Sequence, residues 1–386
     1  MSTDDLLERV RDRLASSGTD LDPVHVARAL REEGRPVGDA EVLAVLDDLR
    51  RDVLGAGPLE PLLRHPSVTD VLVNGPGHVY ADTGEGLGLT GVTFPDDASV
   101  RRLAQRLAAS AGRRLDDATP YVDLRLRDGT RFHAVLAPLA RPGTLLSLRV
   151  PRSEALDLPE LVRRGTVCSE GADLLRRIVS RRLAFLVTGG TGSGKTTVLN
   201  ALLGLVDKRD RLVIVEDASE LRPDHPHVVG LEARPPNVEG AGAVPLQVLV
   251  RQALRMRPDR LVVGEVRGGE VTDLLAAMNT GHEGGCGTLH ANSCADVPAR
   301  IEALAMAAGL PREAAHSQLA SALDAVVHLD RVGSHRRVAE VAVLVRAADG
   351  LVAAVPAVTF GREGQIDTHA AVDRLADRLA QRTGGP

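Results

Sequence analysis

Apolar positions change period twice along the chain. Residues 1–50 place them at helical spacing, broken at "SSGTDLDP" and "EEGRPVGD", and predict short amphipathic helices forming an accessory segment. From "LGAGPLEPLL" the pattern becomes short runs bounded by turn residues. "TDVLVNG", "HVYAD", "YVDLRLRDGTRFHAVLAPL" and "TLLSLRV" read as strands, and "ASVRRLAQRLAASAG" as a helix, predicting a small α+β domain over 51–155. "RSEALDLPELVRRGTV" reads as a linker. Beyond it, apolar strands alternate with helical stretches to about residue 330, the signature of a parallel-sheet α/β domain over 156–386. "RRVAEVAVLV" and "LVAAVPAVTF" add strands before a terminal helix.

One hairpin carries more than its fold. In "YVDLRLRDGTRFHAVL", Val122, Leu124 and Leu126 alternate with Asp123, Arg125 and Arg127. A two-residue turn at Asp128-Gly129 mixes the two faces, whereas a three-residue loop ending at Thr130 sets Leu126 opposite Phe132. The second register is expected. It gathers Arg125, Arg127, Arg131 and His133 on one face, where opposed like charges are unfavourable unless an anion or acidic surface lies over them.

Composition narrows the classes. The 386 residues have room for two or three domains, with 44% apolar content for their cores. Aromatics are 2% with no tryptophan, a poor supply of stacking platforms for single-stranded nucleic acid. A net charge of −5 provides no overall basic field, so direct nucleic-acid binding is not expected. The arginine doublets read as solvated helix faces. Three cysteines form no disulfide framework. The acidic, polar N-terminus does not read as a signal peptide, and no apolar run approaches the ~20 residues of a membrane span.

Lysine stands only at 195 and 208, against 45 arginines, and Lys195 lies in "TGGTGSGKTT". Residues 189–196 fit G-x-x-x-x-G-K-[ST] between a predicted strand, "AFLVTG", and a predicted helix, "KTTVLNALLGLV". Gly189, Gly190, Thr191, Gly192, Ser193, Gly194, Lys195, Thr196 and Thr197 therefore form a candidate nucleotide cradle. Glycines let consecutive backbone N–H groups curl around phosphate oxygens, and the helix N-terminus adds its positive dipole end. Lys195 should reach the β- and γ-phosphates of ATP, and Thr196 should place its hydroxyl on Mg²⁺. Two further strands end in acids. "DRLVVGEVR" ends at Glu265 and "RLVIVEDASEL" runs into Glu216, Asp217 and Glu220, one set suited to the metal and one to the attacking water.

These segments, with "LEARPPNVEGAG", "LVRQALRMRPDRLVVGEVRGGEV" and "AAMNTGHEGGCGTLHAN", occur in an order that resembles the type II/type IV secretion ATPases, most closely the branch that powers Tad (Flp) pilus assembly, also described as conjugal-transfer ATPases. The resemblance spans roughly residues 51–330. It implies a RecA-like P-loop NTPase domain behind a PAS-like α+β domain, a homohexameric ring, a cytoplasmic location at the inner face of the membrane, and inner-membrane platform proteins as partners. It also implies roles: Walker A at 189–197, an Asp box at 216–221, a Walker B at 261–265 and a His box at 282–290. Glu265 assists Mg²⁺, Glu216 or Glu220 acts on water, and His282 and His290 sense the γ-phosphate. Arg131, Arg149 and Arg125 become phosphate clamps, while Arg234, Arg255 and Arg257 bridge subunits or the site. His282, Cys286, His290 and Cys294 recur every four residues, but the stretch is too glycine-rich for a helix to align them as a zinc site.

Overall fold

The computed structural model describes residues 23–32, 38, 42, 55–84, 86–151, 156–237, 240–333, 335–361 and 364–381. They form two compact units, 1–153 and 154–386. Of the accessory segment expected over 1–50, the helix Pro23–Glu32 is described with Gly38 and Val42, and the remainder lies outside the described residues.

In the first unit, six strands form one antiparallel sheet. They are β1 (Asp70–Asn74), β2 (Val79–Asp82), β3 (Leu87–Leu89), β4 (Tyr121–Arg125), β5 (Arg131–Val135) and β6 (Leu145–Arg149), in the order β3-β2-β1-β6-β5-β4. The helix Asp97–Ser110 begins where the Asp96 carboxylate accepts the Ser99 N–H at 2.7 Å. It buries Val100, Leu103, Ala104, Leu107 and Ala108, one stripe at helical spacing, in a core shared with Val71, Val73, Phe132, Ala134, Leu146 and Leu148.

The hairpin register differs from expectation by one cross-strand pair. Leu124, not Leu126, faces Phe132, and Arg125 faces Arg131. The cause is local: the Asp128 carboxylate accepts from the Thr130 N–H and hydroxyl, and Gly129 takes φ +92°. The loop is thus Arg127-Asp128-Gly129, which removes Arg127 from the sheet face. Because the displacement is by a pair, the apolar face stays intact. On the opposite face, Asp82, Asp70, Arg149, Arg131 and Arg125 stand side by side across five strands.

The second unit is the α/β domain expected. β7 (Phe185–Gly189), β8 (Leu212–Glu216), β9 (Val228–Glu232), β10 (Arg260–Val266), β11 (Cys286–Leu289) and β12 (Ala325–Val332) pair in parallel, and β13 (His335–Arg346), β14 (Val352–Phe360) and β15 (Ile366–Thr368) extend the sheet antiparallel. The order is β15-β14-β13-β12-β7-β11-β10-β8-β9. Both faces are covered, so the central strands read as continuous apolar runs. Phe185 and Val187 enter one core, and Ala184 and Leu186 the other.

The segment expected as a linker is part of this domain from residue 156 onward. It forms the helix Leu158–Arg163, capped by Asp157, and its Leu158 and Leu161 are fully buried. At about 1.5–3 kcal/mol for each buried leucine, they are structural members of the core. Residues 152–155 lie outside the described residues. No helix among the described residues is long and apolar enough to cross a membrane.

Candidate functional site

The carboxyl ends of β7, β8, β10, β11 and β12 share one edge of the second unit, the edge where α/β sheets place ligands. Along it, β7 ends in the glycine loop, and the helix Lys195–Leu203 starts behind Gly194, its cap at φ +96°. Gly189 has φ +148°, and a Cβ there would stand 2.5 Å from both the Leu329 carbonyl oxygen and the Ser193 Oγ, so only glycine fits. The first-turn amides of Lys195, Thr196 and Thr197 have no partner within the helix. The Ser193 hydroxyl is buried with no partner among the described residues. Thr196 is half-buried, and Gly190, Thr191 and Gly192 are exposed.

Lys195 is 8% exposed, and its Nζ donates to the carbonyls of Gly189 (3.0 Å) and Gly190 (2.9 Å). Burial pulls its pKa below the usual lysine value, while the Glu265 carboxylate works in the other direction. The same ammonium stands 3.4 Å from Nδ1 of His290, whose Nε2 lies 2.9 Å from Oε1 of Glu265. An ammonium can only donate, so Nδ1 accepts and the Nε2–H donates to Glu265. His290 is therefore neutral in this line, in accord with a pKa held low by burial first and by Lys195 second. Lysine, histidine and glutamate from three segments meet at the loop.

Glu216 ends β8 beside Gly264 of β10, where a Cβ would stand 2.5 Å from the Glu216 Cγ. It is buried, and its Oε1 accepts the N–H groups of Glu220 (3.1 Å) and Leu221 (3.0 Å). Burial raises its pKa to about 7. The Glu220 side chain is exposed. The two candidates thus separate into a desolvated carboxyl at the strand end and a surface carboxylate.

Other expected site residues of the second unit are not brought to this loop. His282 precedes β11, which lies parallel to β7, so it sits at the end of the sheet opposite His290; its Nδ1 is buried with no partner among the described residues. The four-residue recurrence of His282, Cys286, His290 and Cys294 spans a turn, a buried strand and a loop. Arg234 follows edge strand β9, four strands from β7, on the order of 19 Å at sheet spacing, and its Nε donates to Gly242 at 2.8 Å. Arg255 and Arg257 precede β10, again at the opposite end. Arg125, Arg131 and Arg149 belong to the first unit, where Arg149 also lies 3.6 Å from Asp70.

Two arginines that sequence reasoning did not single out do reach the loop. Arg336 donates to the Gly192 carbonyl at 2.9 Å, and an Arg331 nitrogen lies 3.2 Å from where a Gly192 Cβ would stand. Only the pairing of β12 with β7 reveals them.

With this geometry in place, similarity to known proteins is decisive. A profile of the family described as "Type II/IV secretion system protein" matches residues 52–375. The chain belongs to that family. Within reach of it are the "Putative conjugal transfer protein Rv3659c" of Mycobacterium tuberculosis, 55% identical over 352 residues, 89% of this chain and 99% of that protein, and conjugal transfer protein TrbB of Rhizobium radiobacter, 32% identical across 71% of this chain and 83% of its own. Among solved structures, the Yersinia pseudotuberculosis ATPase DotB superposes with a TM-score of 0.53 at 16% identity, covering 87% of this chain and 82% of that one. That likeness supports the family's two-domain P-loop ATPase fold, and the loop, the acid-tipped strands and His290 lie within the matched residues.

The residues present fit a magnesium nucleoside triphosphate. Gly189 leaves no room for a side chain, the buried Ser193 hydroxyl has no partner among the described residues, and the Lys195 cation and a helix N-terminus stand at the same loop. Thr196 and Glu265 would supply hard oxygen ligands, the type Mg²⁺ takes.

Proposed function

We propose that this protein is an Mg²⁺-dependent ATPase that works as a cytoplasmic homohexameric motor on inner-membrane platform proteins and powers pilus assembly of the Tad (Flp) type. The observation that carries this reading is the line from Lys195 through His290 to Glu265 at the mouth of a phosphate loop. Lys195 exchanges its loop carbonyls for phosphate oxygens, which frees Nδ1 of neutral His290, and the single N–H of that ring then turns from Glu265 to the terminal phosphate. Thr196 and Glu265 would hold Mg²⁺, which would supply positive charge against the negative charge developing on the phosphates. Glu216, with a pKa near working pH, accepts a proton from the attacking water. The arginine row of the first unit, Arg149, Arg131 and Arg125, closes on the nucleotide, and loss of the last phosphate releases it. ATP biases that motion only through contacts that differ between the two states, and the γ-phosphate supplies them.

The names of the relatives favour a second reading, a conjugative DNA-transfer or effector-secretion motor with the same chemistry. A RecA-like nucleic-acid translocase is a further alternative, disfavoured by the net charge of −5 and the scarcity of aromatics. Reconstitution separates them: a pilus motor copurifies with platform proteins and hydrolyses ATP at a rate indifferent to added DNA, whereas DNA-stimulated hydrolysis contradicts the first reading.

The clamp is tested in the assembled ring. Arg131→Ala and Arg149→Ala should each lower turnover, by on the order of 10³-fold where the guanidinium meets transition-state charge. Arg149 is exposed and its ion pair with Asp70 adds little stability, so the thermal midpoint of Arg149→Ala should hardly move. Unchanged rates in both variants would remove the clamp from the account.

Glu216→Gln tests the buried carboxyl through stability as well as rate. The folded pKa of about 7 lies above the ordinary 4.5, so between those values the folded chain binds more protons than the unfolded one. Wild-type stability therefore falls as pH rises through that window, and the loss is complete above 7. A glutamine keeps an acceptor for the Glu220 and Leu221 amides without the charge. The variant should match wild type in stability near pH 4.5, exceed it at pH 8 by on the order of 1–3 kcal/mol, and lose turnover at pH 8, where the wild-type carboxyl is ionised. Denaturation curves showing a stability difference independent of pH would contradict this.

A further inference from the structure

β12 and β13 run on as a two-stranded ribbon past the end of β7, because the pairing of β12 with β7 stops at Leu329 and Gly189 while β12 and β13 stay paired to Val332 and His335. The ribbon therefore stands alongside the phosphate loop. Its two faces are built differently. Asp330 and Arg337 oppose each other and form a two-pronged ion pair, with Arg337 Nε 2.9 Å from Oδ1 and Nη2 2.8 Å from Oδ2, and Arg337 also donates to the Phe360 carbonyl. On the other face Arg331 and Arg336 oppose each other, a like-charge pair that is unfavourable in isolation.

What lies over that second face is the loop. The Arg336 side chain crosses Gly194, with Cδ 3.5 Å from where a Cβ would stand, and its Nε donates to the Gly192 carbonyl at 2.9 Å. Arg331 is held by donating to the Gly333 carbonyl, with a terminal nitrogen 3.2 Å from a Cβ placed on Gly192. Gly192 has φ +71°, so a side chain there is strained, and its Cβ would crowd the Arg331 guanidinium. The Gly189 and Gly190 carbonyls are held by Lys195, the residue that the proposed chemistry takes away to phosphate. Arg336 holds the Gly192 carbonyl, and the proposed chemistry does not take it away to phosphate.

We propose that Arg336 is a positioning residue for the phosphate loop: its guanidinium holds the Gly192 carbonyl so that the loop keeps its phosphate-binding curl after Lys195 lets go, with Arg331 packed against the same turn. The inference rests on the nucleotide reading above and adds to it a residue outside the motif. A preformed loop loses less order on binding, so removing the clip weakens affinity without touching any group that meets phosphate.

The test compares Arg336→Ala, Arg336→Lys and Arg337→Ala in the full chain, by hydrogen exchange over residues 188–197 without nucleotide and by calorimetric binding of Mg-ATP and of pyrophosphate. Arg336→Ala should exchange faster across the loop and bind both probes about tenfold more weakly, the size of one charge-assisted hydrogen bond. Arg336→Lys, which retains a cationic donor, should recover most of the affinity. Arg337→Ala, which breaks the ion pair on the other face, should lower the thermal midpoint and leave probe affinity unchanged. Wild-type exchange and affinity in Arg336→Ala would overturn the proposal, as would an equal loss of affinity in Arg337→Ala, which would mean that the ribbon acts only by being folded. Failure of the wild-type chain to bind Mg-ATP at all is a separate outcome that overturns the nucleotide reading and this proposal with it.

Discussion

Lys195→Ala is expected to abolish ATP hydrolysis in a chain that still folds. The ammonium is the sole lysine charge in the loop, is nearly buried, and is already desolvated against two carbonyls and His290. A cation in such a place stabilises developing phosphate charge far more than one in water, and its loss should cost about 10²–10³-fold in turnover from this contact alone. Affinity for Mg-ATP should fall as well, since the same charge holds the ground-state phosphates. The fold should change little, because net hydrogen-bond worth near 1 kcal/mol each is offset by relief of a buried charge. His290 provides an internal check. Lys195 holds its pKa down, so the variant's His290 should titrate at higher pH than wild type in an NMR titration. Robust phosphate release from purified Lys195→Ala would refute the site.

Glu265→Gln is expected to separate binding from turnover. The carboxylate accepts the Nε2–H of His290 at 2.9 Å, and a glutamine oxygen can accept the same bond, so the line of side chains survives in shape. What disappears is negative charge, both for the metal and for keeping Lys195 protonated. Mg-ATP should bind within about a factor of ten of wild type, while single-turnover hydrolysis falls by about 10²–10³-fold. The variant should accumulate with ATP, not ADP, on filter retention and chromatography. Parallel loss of binding and turnover would instead make Glu265 a structural member of the loop.

How much of this was legible in the sequence follows from what each feature depends on. The phosphate loop was readable because its requirements are contiguous: glycines at left-handed positions, a lysine, and a helix that starts at once. The sheet was readable in its buried runs, where both faces demand apolar residues. The hairpin register was missed by one pair because the Asp128 carboxylate, not strand alternation, sets where the turn begins. Leu158 and Leu161 sit in a charged stretch, and two leucines there declare themselves only once a core exists to receive them. His282 and His290 share a motif, yet a strand running between them carries them to opposite ends of the sheet. Arg331 and Arg336 lie more than a hundred residues from the loop they touch, and nothing local announces that β12 will settle beside β7.

The most direct measurement is a structure of the full chain with Mg²⁺ and a non-hydrolysable ATP analogue. The account predicts the triphosphate within the curl of residues 189–197, Lys195 Nζ moved from the Gly189 and Gly190 carbonyls onto β- and γ-phosphate oxygens, and the Gly192 carbonyl still held by Arg336. Phosphates bound elsewhere, with Lys195 unmoved on its two carbonyls, would contradict it.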